Sequence, residues 1–370
     1  MLKSFVSRNN NFRVLIGVPT EVLKDQWIRE LAKNNLFINC KVEVFNTIIR
    51  HHYEVDLLVL DEVHLVPTPS FINIFNTVKY KYFFGLTATW ERLDHHEVWL
   101  EQYTFICDQI TIKEAVENDW LSEYRNYKVN IKVDLTEYNE YNQKFQNLFA
   151  IFDHDFKLAM ELIQKPAKVK IWAKRKGIDE KNARGYLAAW MKMLRNRKNF
   201  IQSHPKKLEV AEKILNARKD KKSITFSATI KDAEKFKKYG FILHSKQKKK
   251  ENQAVIEAFN ACEKGNLASS KAANQGLDIK GLSVGICTAV NSSKITKTQS
   301  LGRIIRKEGD KVAEMFTLVL KGTQDENWFY NANQGQPYLE IDEQQLDDIL
   351  NYKEVSTRPK TAIASLENRF

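Results

Sequence analysis

The chain has 370 residues, long enough for two domains with proper cores, and its 58 Lys and Arg against 46 Asp and Glu leave a net charge of +12. That balance suits a polyanionic partner and says nothing about fold. Four scattered cysteines (Cys40, Cys107, Cys262, Cys287) form no CxxC pair, and no apolar run could span a bilayer. These features argue against a disulfide framework, a structural zinc site and a membrane span, and the reading is a soluble cytoplasmic protein.

In chain order, Val14 to Val18 reads as a buried strand stopped by Pro19-Thr20, and Leu23, Trp27 and Leu31 follow at helical spacing. Trp27 reads as a core anchor of that helix. Residues 42–47 form a second strand. Leu57 to Leu60 is then a continuous apolar run, the pattern of a strand buried on both faces of a parallel sheet, and it ends in Asp61-Glu62, with His64 just beyond. Ligands bind outside the carboxyl ends of such strands. There Asp61 could hold Mg²⁺ through water, and Glu62 could take a proton from an attacking water. The string alone is short and fits an ordinary acidic turn after a core strand better. Tyr82 to Leu86 repeats the pattern and ends in Thr87-Ala88-Thr89, His95 and His96 read as solvated loop histidines, and residues 128–135 alternate like a half-buried strand leaving the first domain.

Residues 136–205 change character. From 165 to 222 there are 19 Lys or Arg and 5 Asp or Glu, a net of +14, so the rest of the chain is about neutral. Trp172, Tyr186, Trp190 and Phe200 are interleaved with those charges, while Phe145, Leu148, Phe149, Phe152 and Phe156 recur at helical spacing as packing positions. Two readings stand. These helices either track a phosphate backbone and stack bases, with Arg195, Arg197 and Lys198 in contact, or form a solvated linker whose aromatics pack inward.

Beyond 205, strands are expected at 223–227, at 241–245 with a polar end in His244-Ser245, at 281–286 and at 312–320. Gln299, Arg303 and Arg306 are spaced i, i+4 and i+7, so one helix face would present all three, with Gly302 permitting close packing. Two guanidiniums in register suit a γ-phosphate. The acidic tail reads as a short helix packed through Leu346 and Leu350, with 351–370 extended.

Asp61-Glu62-Val63-His64, the Tyr82 to Thr89 string and Gln299 to Arg306, in that order, resemble motifs II, III and VI of superfamily 2 helicases and translocases of the DExH type, notably phage recombination and repair helicases. Val18-Pro19-Thr20 with Gln26-Trp27 resembles motif Ia, and residues 268–279 resemble motif V. The resemblance covers about residues 11–320. It implies an α/β fold of two tandem RecA-like domains with parallel sheets flanked by helices: domain 1 over 1–135, a basic helical segment over 136–205, domain 2 over 206–322 and a tail over 323–370.

It further implies ATP and Mg²⁺ between the domains. Asp61, Glu62, His64, Gln299, Arg303 and Arg306 would serve catalysis, with Gly276 and Asp278 on the nucleotide. Pro19, Thr20, Thr47, Thr87, Thr89, His244 and Ser245 would meet nucleic acid. The implied partner is single-stranded or branched DNA, with RNA open, in host cytoplasm if phage-encoded. The chain departs from the family in one respect: no GxxxxGK[ST] string occurs in it. A phosphate cradle needs a glycine-rich turn, a helix N-terminus and a lysine. The expectation is a motor whose P-loop segment was lost by a split gene, a mis-called start or a truncation. A separate chain is one source of that loop, and its strand would leave an open sheet edge beside motif III. Two rivals stand: the motor subunit of a restriction enzyme, and a non-catalytic nucleic-acid-binding remnant.

Overall fold

A computed structural model describes residues 2–361 apart from 10, 37, 91–95, 271–278 and 291–293. The chain divides into two compact units, the first made of the residues up to Leu121 together with Lys294–Gly302, the second of most of the remainder. Among the described residues no helix is long and apolar enough to cross a membrane.

The first unit holds four parallel strands, β1 (Val14–Val18), β2 (Cys40–Val44), β3 (Leu57–Asp61) and β4 (Tyr82–Leu86), in the order β2-β1-β3-β4. Alternation along β3 builds two cores. Leu57 and Val59 face one with Ile16, Val18 and Leu31, whereas Leu58 and Leu60 face the other with Phe45, Ile48 and Val63. A Cβ on Gly17 would sit 2.6 Å from Leu60 Cδ2 and 2.9 Å from Ile48 Cδ1, so β1 reaches its neighbours only as glycine.

Helix α1 (Leu2–Arg8) precedes this sheet, and α2 (Glu21–Lys33) starts at Thr20, whose Oγ1 accepts the Leu23 N–H at 3.3 Å. The second strand is shorter than expected, because Phe45–Ile48 turns into a short helix, α3. On its outer side β4 has no strand among the described residues, and Tyr82 there is 58% exposed.

The second unit contains β5 (Tyr124–Ile131), β6 (Lys222–Ser227), β7 (Gly240–Leu243), β8 (Gly265–Ser270), β9 (Val284–Cys287), β10 (Ala313–Leu320), β11 (Pro337–Ile341) and β12 (Lys360–Thr361). They form one sheet in the order β12-β11-β5-β10-β9-β6-β8-β7, parallel except for β12. The strand expected at 128–135 is β5, which pairs along its whole length with β10 and thus lies inside the second sheet. Its Asn126 and Lys128 are buried rather than solvated. Lys128 is fully buried and donates to Glu340 Oε1 at 2.8 Å and to Tyr330 Oη at 2.9 Å.

The carboxyl on the other side of that contact should limit acid stability. Burial alone would raise Glu340, but hydrogen bonds from Asn130, Lys128 and Lys360 outweigh it and hold the group at about 2. Its ordinary value is 4.5, so this stabilisation is complete above about 4.5 and lost as pH falls toward about 2. Urea midpoints measured across that range should fall less steeply for Glu340→Gln than for the parent; equal slopes would remove Glu340 from the acid limb.

Between β5 and β6, helices α4 (Thr136–Ala150), α5 (Phe156–Gln164), α6 (Ala167–Lys176) and α7 (Glu180–Gln202) enclose an aromatic core. Trp190 is fully buried against Phe145 and Phe149 at 5.7 and 5.6 Å, and Trp172 stacks on Phe152 at 5.2 Å. These tryptophans hold helices together and present no face for bases. Helices α8 (Pro205–Ala217), α9 (Lys294–Ile304), α10 (Gln324–Ala332) and α11 (Glu343–Leu350) follow, the last buried through Leu346 and Leu350 as its sequence predicts.

Candidate active site

The apolar run of β3 delivers Asp61 to the carboxyl edge of the first sheet, and the chain then turns sharply. Glu62 takes the left-handed conformation, φ 53° and ψ 46°, leading into a tight turn that buries Val63 and His64. A side chain costs about 1–2 kcal/mol there. Glu62→Gly should therefore be more stable than Glu62→Ala by about 1 kcal/mol, against the usual order, as denaturant midpoints would reveal.

Both Asp61 oxygens have partners. Oδ1 accepts the Glu62 N–H at 3.0 Å, and Oδ2 accepts the indole Nε1–H of Trp27 at 2.9 Å. Trp27 is thus a site residue as well as a helix anchor. Helical spacing gave no hint of this; the one available signal was that a tryptophan body carries a polar handle needing a partner when half-buried.

His64, 3% exposed, has Nδ1 at 2.9 Å from Thr87 Oγ1 and 3.3 Å from Glu62 Oε2. The Thr87 hydroxyl donates its only proton to the Thr89 carbonyl at 2.8 Å and accepts the Thr89 N–H at 3.2 Å. It can therefore only accept from His64, which places the imidazole proton on Nδ1. The ends of β3 and β4 are tied together through this one histidine. Thr89 is 9% exposed, and its Oγ1 has no hydrogen-bond partner among the described residues.

The donor set suits a hard cation bound through water, because each Asp61 oxygen keeps a second lone pair and Glu62 stands beside it. Among the described residues no cluster of three or more His, Cys, Asp or Glu could hold a metal directly.

The remaining sequence candidates fall as follows. Pro19, Thr20 and Thr47 follow the carboxyl ends of β1 and β2, on the same sheet edge as Asp61. His244 and Ser245 follow β7, where His244 Nδ1 accepts the Lys246 N–H at 3.3 Å and Ser245 is exposed. Gly276, Asp278 and His95 lie outside the described residues, as does the side chain of Gln299 on α9.

Three expectations need correction. Helix α9 stops at Ile304, so Arg303 sits buried in its last turn while Arg306 lies exposed beyond it; one helix face does not carry both. Just beyond the helix end Ser122 holds two carbonyls, its N–H reaching Ile305 O at 2.8 Å and its hydroxyl Arg306 O at 3.1 Å. A Cβ on Gly302 would meet nothing within 4 Å among the described residues, so that glycine serves no close packing there. In the basic segment Arg195 and Lys198 are exposed, but Arg197 is buried with its guanidinium 4.3 Å from the Phe145 ring. Stacking on an aromatic core, rather than contact with solvent, explains that cation.

Comparisons with known proteins find similarity to helicases in sequence and in fold. Residues 206–308 match the helicase conserved C-terminal domain. The DNA 3'-5' translocase XPB2 of Sulfurisphaera tokodaii is 28% identical over 275 residues, which cover 73% of this chain and 60% of that protein. The match thus spans less than two thirds of that relative's length. Among solved structures, S. cerevisiae Dbp5 bound to RNA and ADP BeF3 superimposes with a TM-score of 0.56 at 12% identity, covering 95% of this chain and 84% of that one. The Pyrococcus furiosus Hef helicase domain gives 0.52 at 14% identity, with 90% and 97% covered. At such identities they establish the fold: two RecA-like domains.

Proposed function

We propose that this chain is the body of an ATP-dependent DNA translocase or helicase. The observation that carries the reading is the cluster of Asp61, Glu62, His64 and Thr87 at the carboxyl ends of two adjacent parallel strands. Glu62 is the general base toward water, and Asp61 would hold Mg²⁺ through water. ATP, when bound, supplies the γ-phosphoryl group. Arg303 and Arg306 act on its charge, with Gln299, Gly276 and Asp278 completing the set on motif grounds. The His64–Thr87 bond couples the base to the β4 end. Pro19, Thr20, Thr47, Thr87, Thr89, His244 and Ser245 serve the nucleic acid. The finer reading is a phage-type recombination or repair motor.

The phosphate-holding loop comes from polypeptide outside these 370 residues, its strand adding to the side of β4 that pairs with no strand among the described residues. The missing GxxxxGK[ST] string also keeps a non-catalytic DNA-binding role as the second reading. DNA-stimulated ATP turnover after such a segment is restored tests the first against the second.

DNA binding is supported by the translocase relative and by the concentrated charge of residues 165–222. Affinity for single-stranded DNA should fall steeply with salt. Substituting Arg195 and Lys198 by Gln should lower the log–log slope by about 1.4, at roughly 0.7 per phosphate contact. Arg197→Gln should instead lower thermal stability and leave the slope unchanged. A slope indifferent to the paired substitution would show that these cations are only solvated.

A further inference from the structure

Where the first turns of α4, the last turns of α7 and the start of α8 meet, the second unit has an open hollow of about 440 Å³. That volume lies in the range of small-ligand pockets, about 300–1,000 Å³. Three half-buried rings line it: Tyr141, Phe200 and His204. Phe200 and His204 meet edge to face at 5.0 Å. Hydrogen-bonding groups complete the wall, the amides of Asn196 and Asn199 and the carboxylate of Glu137, which accepts the Tyr141 hydroxyl at 2.5 Å.

His204 adds a donor. Its Nδ1 accepts the Lys206 N–H at 3.1 Å, so the neutral ring carries its proton on Nε2. Burial, with Lys207 adding and Glu137 opposing, lowers its pKa below the ordinary 6.5 and keeps the ring neutral at pH 7.

A purely anionic occupant does not fit, because Glu137 would repel it. Flat rings beside amide donors and acceptors fit a heterocycle that stacks on its faces and hydrogen-bonds at its edges. The neighbouring residues supply the rest of a nucleotide site. Arg195 and Lys198 adjoin Asn196 and Asn199 on α7, are exposed, and have no carboxylate partner among the described residues. One helix end thus offers cations for phosphates and amides for a base.

We propose that this hollow receives one unstacked nucleobase of a single strand whose phosphates lie on the exposed cations of α7. This rests on the nucleic-acid reading above. It gives the basic segment a base-binding pocket where its buried tryptophans cannot serve.

The test uses the full chain with a labelled single-stranded DNA and the same strand made abasic. Tyr141→Ala should weaken binding of the base-bearing strand about tenfold, the usual order for losing one stacked base, and leave the abasic strand unaffected. Asn199→Leu, at an exposed position, should do the same with thermal stability unchanged, which guards against a folding defect in the first variant. Arg195→Gln with Lys198→Gln should weaken both strands alike. If wild type binds both strands equally and neither pocket variant discriminates, the base pocket is overturned while the phosphate reading survives. If wild type binds neither strand at any salt concentration, the nucleic-acid reading itself fails and the pocket falls with it.

Discussion

In a protein assembled with a phosphate-binding segment, Glu62→Gln should abolish ATP turnover while leaving ATP binding intact. The amide keeps the shape and the left-handed turn but cannot accept a proton from water. Asp61 stays in place, because its contacts run to the Glu62 backbone and to Trp27, neither of which the substitution removes. Arg306→Ala should also cut turnover by about 10³-fold or more if its guanidinium neutralises transferring phosphate. It is exposed and lies beyond the end of α9, so the loss should come without a fall in thermal stability. Arg303→Ala differs: a cation buried at the last helical turn should cost stability as well as turnover. A fully active Glu62→Gln enzyme would place the base elsewhere.

Much of this was legible in the chain because the signals were apolar and local. The runs at 14–18, 57–60 and 313–320 became strands where expected, since a strand buried on both faces leaves a continuous apolar pattern, and 82–86 did so too although none of its residues is fully buried. Strand β8, Gly-Asn-Leu-Ala-Ser-Ser, escaped notice because it is polar and lacks β-branched residues. It is buried all the same, with Asn266 Oδ1 accepting from Ser223 and Thr225. Strand β5 was seen but given to the wrong sheet. Its lysine and asparagines alternate as on a wet face, and only distant partners on β11 and α10 reveal that face as dry.

The site was legible to the same degree. Asp61, Glu62 and His64 stand in one string, but the Trp27–Asp61 bond spans 34 residues and the His64–Thr87 bond 23. Pairings across strands depend on sheet order, which no local spacing encodes. Charge misled at one point. Arg197 sits in a basic run like its neighbours, yet the helix turns it onto Phe145, so a cluster of positive residues marked the helix without marking which of its faces meets solvent.

The central claim is that residues 1–370 form a motor body whose phosphate loop lies elsewhere. ATP hydrolysis by this chain, with and without DNA, tests it most directly when measured before and after a P-loop-bearing segment is joined or added. The account predicts negligible turnover from the chain alone and DNA-stimulated turnover in the completed protein. Robust hydrolysis by the isolated chain that Glu62→Gln abolishes would contradict it.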